Sequence, residues 1–474
     1  MNHNMKTLIL LFSFLSSTLI VTAQSITEKL DKAMQQFESD TQAKSAIVSL
    51  YVINSKTGKV VFDKNSSIGL AAASSQKVIT SVTAFELLGA NYKYKTKLGY
   101  DGSIINGSLN GSLFVTGYGD PTLGSWRYTS TKEKMVMNVW MNELKKNGIT
   151  KIENNIYLDD SKFSYQPIPG GWIWDDIGNY YGAGHWGLNW RENQYDLILK
   201  SGDSEGDDVQ ILRTEPQLQN VVLFNVLTCG KKGSGDNAYI YMPPYSGSGF
   251  VSGTVPAGEK QFRISGSFPN PAPQIEYEIS NAAKANKISL GKGFIYSQGL
   301  LVTKQVVPKP VEAIYTHLSP SFDSINYWFL KKSVNLYGEA LVKTFAYEKN
   351  GFGTTEDGLG IIKSFWKEKG IETTALNIMD GSGLSPQNRI TTSALVTVMQ
   401  YAKARPWYSS FYNSLPEYNG LKMKSGTIGG AKSFTGYATS KTGEAYTFAI
   451  IINNYNGSAG GIVSKMYKVL DVLR

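Results

Sequence analysis

The chain is 474 residues long, with 47 Lys and Arg against 38 Asp and Glu, a net charge of +9. With 42% hydrophobic and 18% charged residues it is neither disordered, collagen-like nor a coiled coil, and its length predicts more than one domain. A single cysteine, Cys229, excludes an internal disulfide framework and any Cys-clustered metal site.

The first segment reads as an export signal: Lys6 supplies charge, Leu8 to Val21 is mostly apolar, and Val21-Thr22-Ala23 offers a small-residue cleavage site before Gln24. The run is shorter than the ~20 residues a membrane span needs, so residues 1–23 are expected to be removed and no span is expected in the mature chain. An uncleaved anchor is the alternative. An exported location, periplasm or cell envelope, follows. The basic charge is spread along the chain with no Lys/Arg arm, so no nucleic-acid partner is expected.

Ser25 to Thr41 is predicted helical, and Ser45 to Phe62 a hairpin turning at Lys56-Thr57-Gly58. Residues 74 to 89 carry Val78, Ile79, Val82, Phe85 and Leu88 on one helical stripe. From Thr96 the texture changes to short runs punctuated by Asp101-Gly102, Asn106-Gly107 and Asn110-Gly111, a hairpin signature. A helix at Thr131 to Asn147 interrupts them. Strand-like runs follow at Tyr195–Lys200, Val209–Arg213, Val221–Leu227, Ala238–Met242 and Gln261–Ser265, and the prolines of 269–273 predict a linker or turn. Beyond Val311 helices return, notably Ser333 to Tyr347 and Thr391 to Ala404. Strands Ala431–Ser440 and Ala445–Asn453 and a helix over Gly461 to Leu473 close the chain. The pattern predicts an α+β domain in two pieces, 24–95 and 309–474, interrupted by a mostly β module at 96–308 that forms one subdomain or two.

Outside the signal only His185 and His317 could serve a Ser-His-Asp triad. The one G-x-S-x-G match, 202–206, leads into a strand rather than a helix and reads as an acidic loop. No His pair has metal spacing and no glycine-rich phosphate loop follows a strand, so neither metal nor cofactor is expected. A lysine base is the remaining option. Ser74-Ser75-Gln76-Lys77 opens the 74–89 helix, and at i and i+3 the hydroxyl and amine share a face beside the positive helix end. Alone, this pattern equally describes an N-cap serine with a solvent lysine, and it recurs at Ser289 and Ser364. Ser333-Val334-Asn335 then begins a second helix, and Lys424-Ser425-Gly426-Thr427 precedes the final strand pair, where a small residue and Gly on an edge strand let a substrate backbone come close. Literal K-T-G at Lys56 and Lys441 lies in turns.

Ordered S-x-x-K, S-x-N and K-[ST]-G resemble the motifs of penicillin-recognising serine enzymes. Ser333 stands 256 positions after Lys77. With that spacing the chain resembles the class C low-molecular-mass penicillin-binding proteins, the D-alanyl-D-alanine carboxypeptidase/endopeptidase family. Gly119-Asp120-Pro121, Gly171-Trp172 with Asp175-Asp176 and Tyr180-Tyr181, Glu339 after Ser333-x-Asn335, and above all Asp380-Gly381-Ser382-Gly383-Leu384-Ser385 carry the likeness. Departures are Ala72 for the family's Pro, Ser75 for Asn or Thr, and Ser425 for Thr. Serine at 425 keeps the hydroxyl, so activity is expected to survive.

The resemblance implies a penicillin-binding-protein/serine β-lactamase-like transpeptidase domain, an antiparallel sheet flanked by helices. It implies a serine D-Ala-D-Ala carboxypeptidase, with cross-link endopeptidase action as a companion activity, on peptidoglycan stem peptides, inhibited by β-lactam antibiotics. Ser74 would be the nucleophile and Lys77 its base, with a pKa lowered by burial and by the cation Lys424. Ser333 would relay a proton, and Asn335 would orient Lys77 and the substrate amide. Lys424 and Ser425 would bind the terminal carboxylate, beside Gly426. The N–H groups of Ser74 and Thr427 would form the oxyanion hole. A serine β-lactamase and a catalytically silent wall-binding relative are the alternatives.

Overall fold

A computed structural model describes residues 25–474. The export signal read at residues 1–23 lies outside the described residues. Ser25 caps the first helix, Ile26–Glu38, through a reciprocal box in which the Glu28 amide donates to Ser25 Oγ and the Ser25 amide to Glu28 Oε2.

A six-stranded antiparallel sheet joins the two ends of the chain, in the order Glu417–Tyr418, Leu421–Ile428, Ala431–Thr439, Ala445–Asn453, Ile47–Asn54, Val60–Lys64. Its central strand is buried on both faces. Tyr446, Phe448, Ile450 and Ile452 meet the helices Ile26–Glu38 and Ala459–Leu470, while Ala449 and Ile451 meet the larger helical layer. That layer contains Lys77–Leu87, Phe322–Lys331, Asn335–Asn350, Thr355–Glu368 and Thr392–Lys403. This is the α+β arrangement expected, an antiparallel sheet flanked by helices.

Three of the other sheets rest on two separate cores. A five-stranded sheet from Gly293–Tyr296, Asn155–Asp159, Leu113–Gly117, Lys95–Tyr100 and Glu312–Leu318 packs against helices Glu133–Lys146 and Ala272–Ala285. Two three-stranded sheets enclose another core containing Cys229, a buried free thiol. One of them runs Val222–Gly230, Ser248–Pro256, Asn237–Tyr241.

Two local expectations are corrected. The prolines of 269–273 do not end structure but start it: Pro271 is the N-cap of helix Ala272–Ala285 and Pro273 sits in its first turn, where a missing N–H costs nothing. Beyond Val311 the chain first makes the strand Glu312–Leu318, whose mostly exposed residues show no alternation, before helix Phe322–Lys331 begins.

Candidate active site

From Leu70 to Phe85 every residue is buried except Ser74. The chain reaches it through Ala73, held at φ +45°, a left-handed conformation that costs a non-glycine residue about 1–2 kcal/mol. Ser74 does not open the α-helix, as the sequence suggests. It lies in a 3₁₀ turn, Ala73–Gln76, and the α-helix starts at Lys77. In a 3₁₀ turn side chains three apart eclipse one another. The Lys77 Nζ accordingly sits 2.8 Å from Ser74 Oγ.

Lys77 is fully buried, and its Nζ also donates to Asn335 Oδ1 and to the Ser382 carbonyl, each at 2.6 Å. Burial pushes its pKa from 10.5 down to about 7, against the opposing charges of Asp380 and Glu339. Lys424 is not the cause: the Lys77–Lys424 repulsion falls on Lys424, whose pKa burial and then Lys77 hold well below the ordinary lysine value. Asn335 is fixed from its other side, Nδ2 donating to the Tyr181 carbonyl at 2.8 Å.

Lys424 is buried in the strand Leu421–Ile428, its Nζ 3.0 Å from Ser333 Oγ and 2.8 Å from the Ser425 carbonyl. Ser333 adopts φ +57° and precedes helix Asn335–Asn350, so its hydroxyl stands clear of the helix. The outer strand Glu417–Tyr418 pairs only with Lys422 and Leu421. Beyond these residues the Leu421–Ile428 strand has a free edge among the described residues. A Cβ on Gly426 would collide with the Ala72 carbonyl and lie 2.8 Å from the Ser74 amide nitrogen, so only glycine allows strand and Ser74 turn to meet.

A cavity of about 620 Å³ opens over these groups, lined by Ser74, Ser333, Asn335 and Thr427 together with Asp175, Asp176, Tyr180, Tyr181, Tyr239 and Arg127. Lys77 and Lys424 lie beneath it. Ser425 is half-buried on the strand face shared with Thr427, and Lys432 donates to Thr427 Oγ1 at 2.6 Å. Neither histidine lines the cavity. His185 is buried against the Gly119 carbonyl, its pKa pushed down to about 3, and His317 lies buried beside Asp120.

Behind Lys77 stands a carboxyl pair. Asp380, fully buried, accepts from the Gly383 and Ser385 amides, Gln76, Asn388 and the Trp172 indole. Glu339 accepts from the Gly381 amide at 3.0 Å, and burial next to Asp380 raises its pKa to about 8. Asp380→Ala is expected to strand five donors and to cost about 4 kcal/mol or more of stability. Urea unfolding measures this, and Asp380→Asn, which retains one oxygen, should cost less.

The sequence reading singled out neither Arg127 nor Lys432 nor Tyr239, which come to the site from distant segments with no local motif. A model of the D-Ala-D-Ala carboxypeptidase 3 (S13) family matches residues 26–417. The chain belongs to that family. By family it is a serine-type D-Ala-D-Ala carboxypeptidase, a hydrolase. This S13 peptidase is 25% identical over 448 residues to the D-alanyl-D-alanine carboxypeptidase of Actinomadura sp. (strain R39), covering 89% of this chain and 80% of that one. It is 25% identical over 433 residues to D-alanyl-D-alanine carboxypeptidase DacB of Haemophilus influenzae, covering 87% and 86%. Its fold is similar to that of penicillin binding protein 4 (dacB) from Haemophilus influenzae, with a TM-score of 0.79, 21% identity, and coverage of 93% of this chain and 98% of that one.

Proposed function

We propose that this S13 peptidase removes the terminal D-Ala of peptidoglycan stem peptides through an acyl-enzyme on Ser74. The observation that carries the reading is a cavity-facing Ser74 Oγ 2.8 Å from the Nζ of a buried lysine whose pKa is about 7. Neutral Lys77 takes the Ser74 proton as Oγ attacks the carbonyl carbon of the penultimate D-Ala. The Ser74 and Thr427 amides receive the developing oxyanion, and Gly426 is what lets them converge. Asn335 holds Lys77 and the substrate amide. Ser333, bonded to Lys424, gives its proton to the leaving amine and recovers one from protonated Lys77, which is neutral again for the hydrolytic step. The hydroxyls of Ser425 and Thr427, with Lys424 and Lys432 alongside, take the terminal carboxylate. Water then hydrolyses the ester.

A β-lactam carries a similar acyl group next to a carboxylate, and we propose that it acylates Ser74 and leaves slowly. We also propose that the enzyme is exported to the periplasm or cell envelope. The N-terminal signal pattern supports this, and among the described residues no helix is long and apolar enough to cross a membrane. Incubation with a synthetic peptide ending in D-Ala-D-Ala tests the reading. Stoichiometric release of free D-Ala is expected. No release, with rapid turnover of a chromogenic cephalosporin, would instead make the protein a β-lactamase.

A further inference from the structure

Strand Val222–Gly230 turns apolar side chains outward. Val222, Phe224 and Val226 are 57%, 61% and 60% exposed, on the face opposite the one that buries Leu227 and Cys229. The outward face of a strand with one face in the core is ordinarily polar. Register extends the apolar face across the sheet: Phe224 pairs with Phe250 and Phe250 with Tyr241, and in the next row Val226 pairs with Ser252 and Ser252 with Tyr239. Tyr241 stacks on Phe250 at 4.6 Å, and Trp174 lies 5.7 Å beyond Tyr241. By alternation the strand positions of this face carry no Lys, Arg, Asp or Glu, and the Asp175 carboxylate lies at its edge beside Tyr241. An exposed patch of this kind marks an interaction surface.

We infer that this face is a docking platform for the glycan strand of peptidoglycan. The inference rests on the proposed activity at Ser74. Tyr239, at one side of the platform, also lines the cavity that holds Ser74, so platform and cavity are continuous. A stem peptide entering that cavity stays tied to its sugar chain, and this face, continuous with the cavity through Tyr239, is a surface on which that chain can lie. Chemistry selects the same occupant. Flat ring faces match the C–H faces of pyranose rings, and the serines between them offer hydroxyls to sugar hydroxyls and amides. With no cation on the strand face and the Asp175 carboxylate at its edge, it offers nothing to a polyanion or to anionic lipid headgroups.

The test uses the full chain and insoluble peptidoglycan whose stem peptides have been removed by an amidase. Wild-type protein is expected to co-sediment with this bare glycan. The Phe224→Ser/Phe250→Ser double variant should bind it about tenfold more weakly, the size of losing two aromatic contacts, while D-Ala release from a free peptide stays within about twofold. Equal sedimentation of both proteins overturns the inference. So does a double variant that binds glycan normally but changes from dimer to monomer in sedimentation velocity, which would make the face an interface between copies. Should the double variant misfold, Val226→Thr, isosteric and exposed, must still weaken glycan binding. Free-peptide turnover reports on the Ser74 reading alone, and bare-glycan binding on the platform alone, so either can fail without the other.

Discussion

Ser74→Ala is expected to lower D-Ala release by about 10⁴-fold or more while the protein melts as wild type does. The separation of the two readouts comes from the position itself. Ser74 is the one residue between Leu70 and Phe85 that is not buried, so removing its hydroxyl opens no cavity in the core. Lys77 Nζ keeps two acceptors, Asn335 Oδ1 and the Ser382 carbonyl, and is not left stranded. Ser333 also faces the cavity, but its hydroxyl is engaged by Lys424 rather than Lys77. Steady-state release with a D-Ala-D-Ala peptide, and a melting curve on the same sample, check both halves. Substantial turnover in the variant would move the nucleophile elsewhere.

The second large effect concerns Lys77. Its amine accepts a proton only when neutral, and burial places its pKa at about 7. Acylation by a β-lactam should therefore rise about tenfold per pH unit below 7 and level off above it. Lys77→Met should lower that rate by about 10³-fold and abolish the pH dependence. Lys77→Arg should fail as well, because a guanidinium does not deprotonate in the working range. Stopped-flow acylation from pH 5 to 9 reads all three. A flat profile in the wild-type enzyme would remove Lys77 as the base.

The same shift leaves a stability signature. The native pKa lies below the ordinary value of 10.5, so between about 7 and 10.5 the unfolded chain binds the extra proton. This group therefore makes stability increase as pH rises through that window, and lowers it as pH falls toward 7. Lys77→Met should remove that slope from the urea midpoint.

Much of the candidate site is legible in the sequence because its motifs are local. Ser74 and Lys77 are three residues apart, Ser333 and Asn335 two, and Lys424 to Thr427 contiguous, so each motif survives in one dimension. The nearly continuous apolar run of Ala445–Asn453 likewise marks a strand buried on both faces. What escaped depends on contacts between distant segments. Burial of Lys77 by Phe329, and the gathering of Trp172 and Gln76 around Asp380, bring together residues more than 200 positions apart. The 3₁₀ turn at Ser74 escaped because its composition is also that of an α-helix start, and the strand that packs against the turn at Gly426 is more than 300 positions away. The helix at Ala272–Ala285 was hidden by prolines that read equally as a break and as an N-terminus.

Incubation with penicillin followed by intact-mass measurement and peptide mapping tests the central claim most directly. One penicillin per chain, carried stably on the peptide that contains Ser74, is the predicted result. An adduct on any other peptide, or destruction of the drug with no adduct at all, would contradict it.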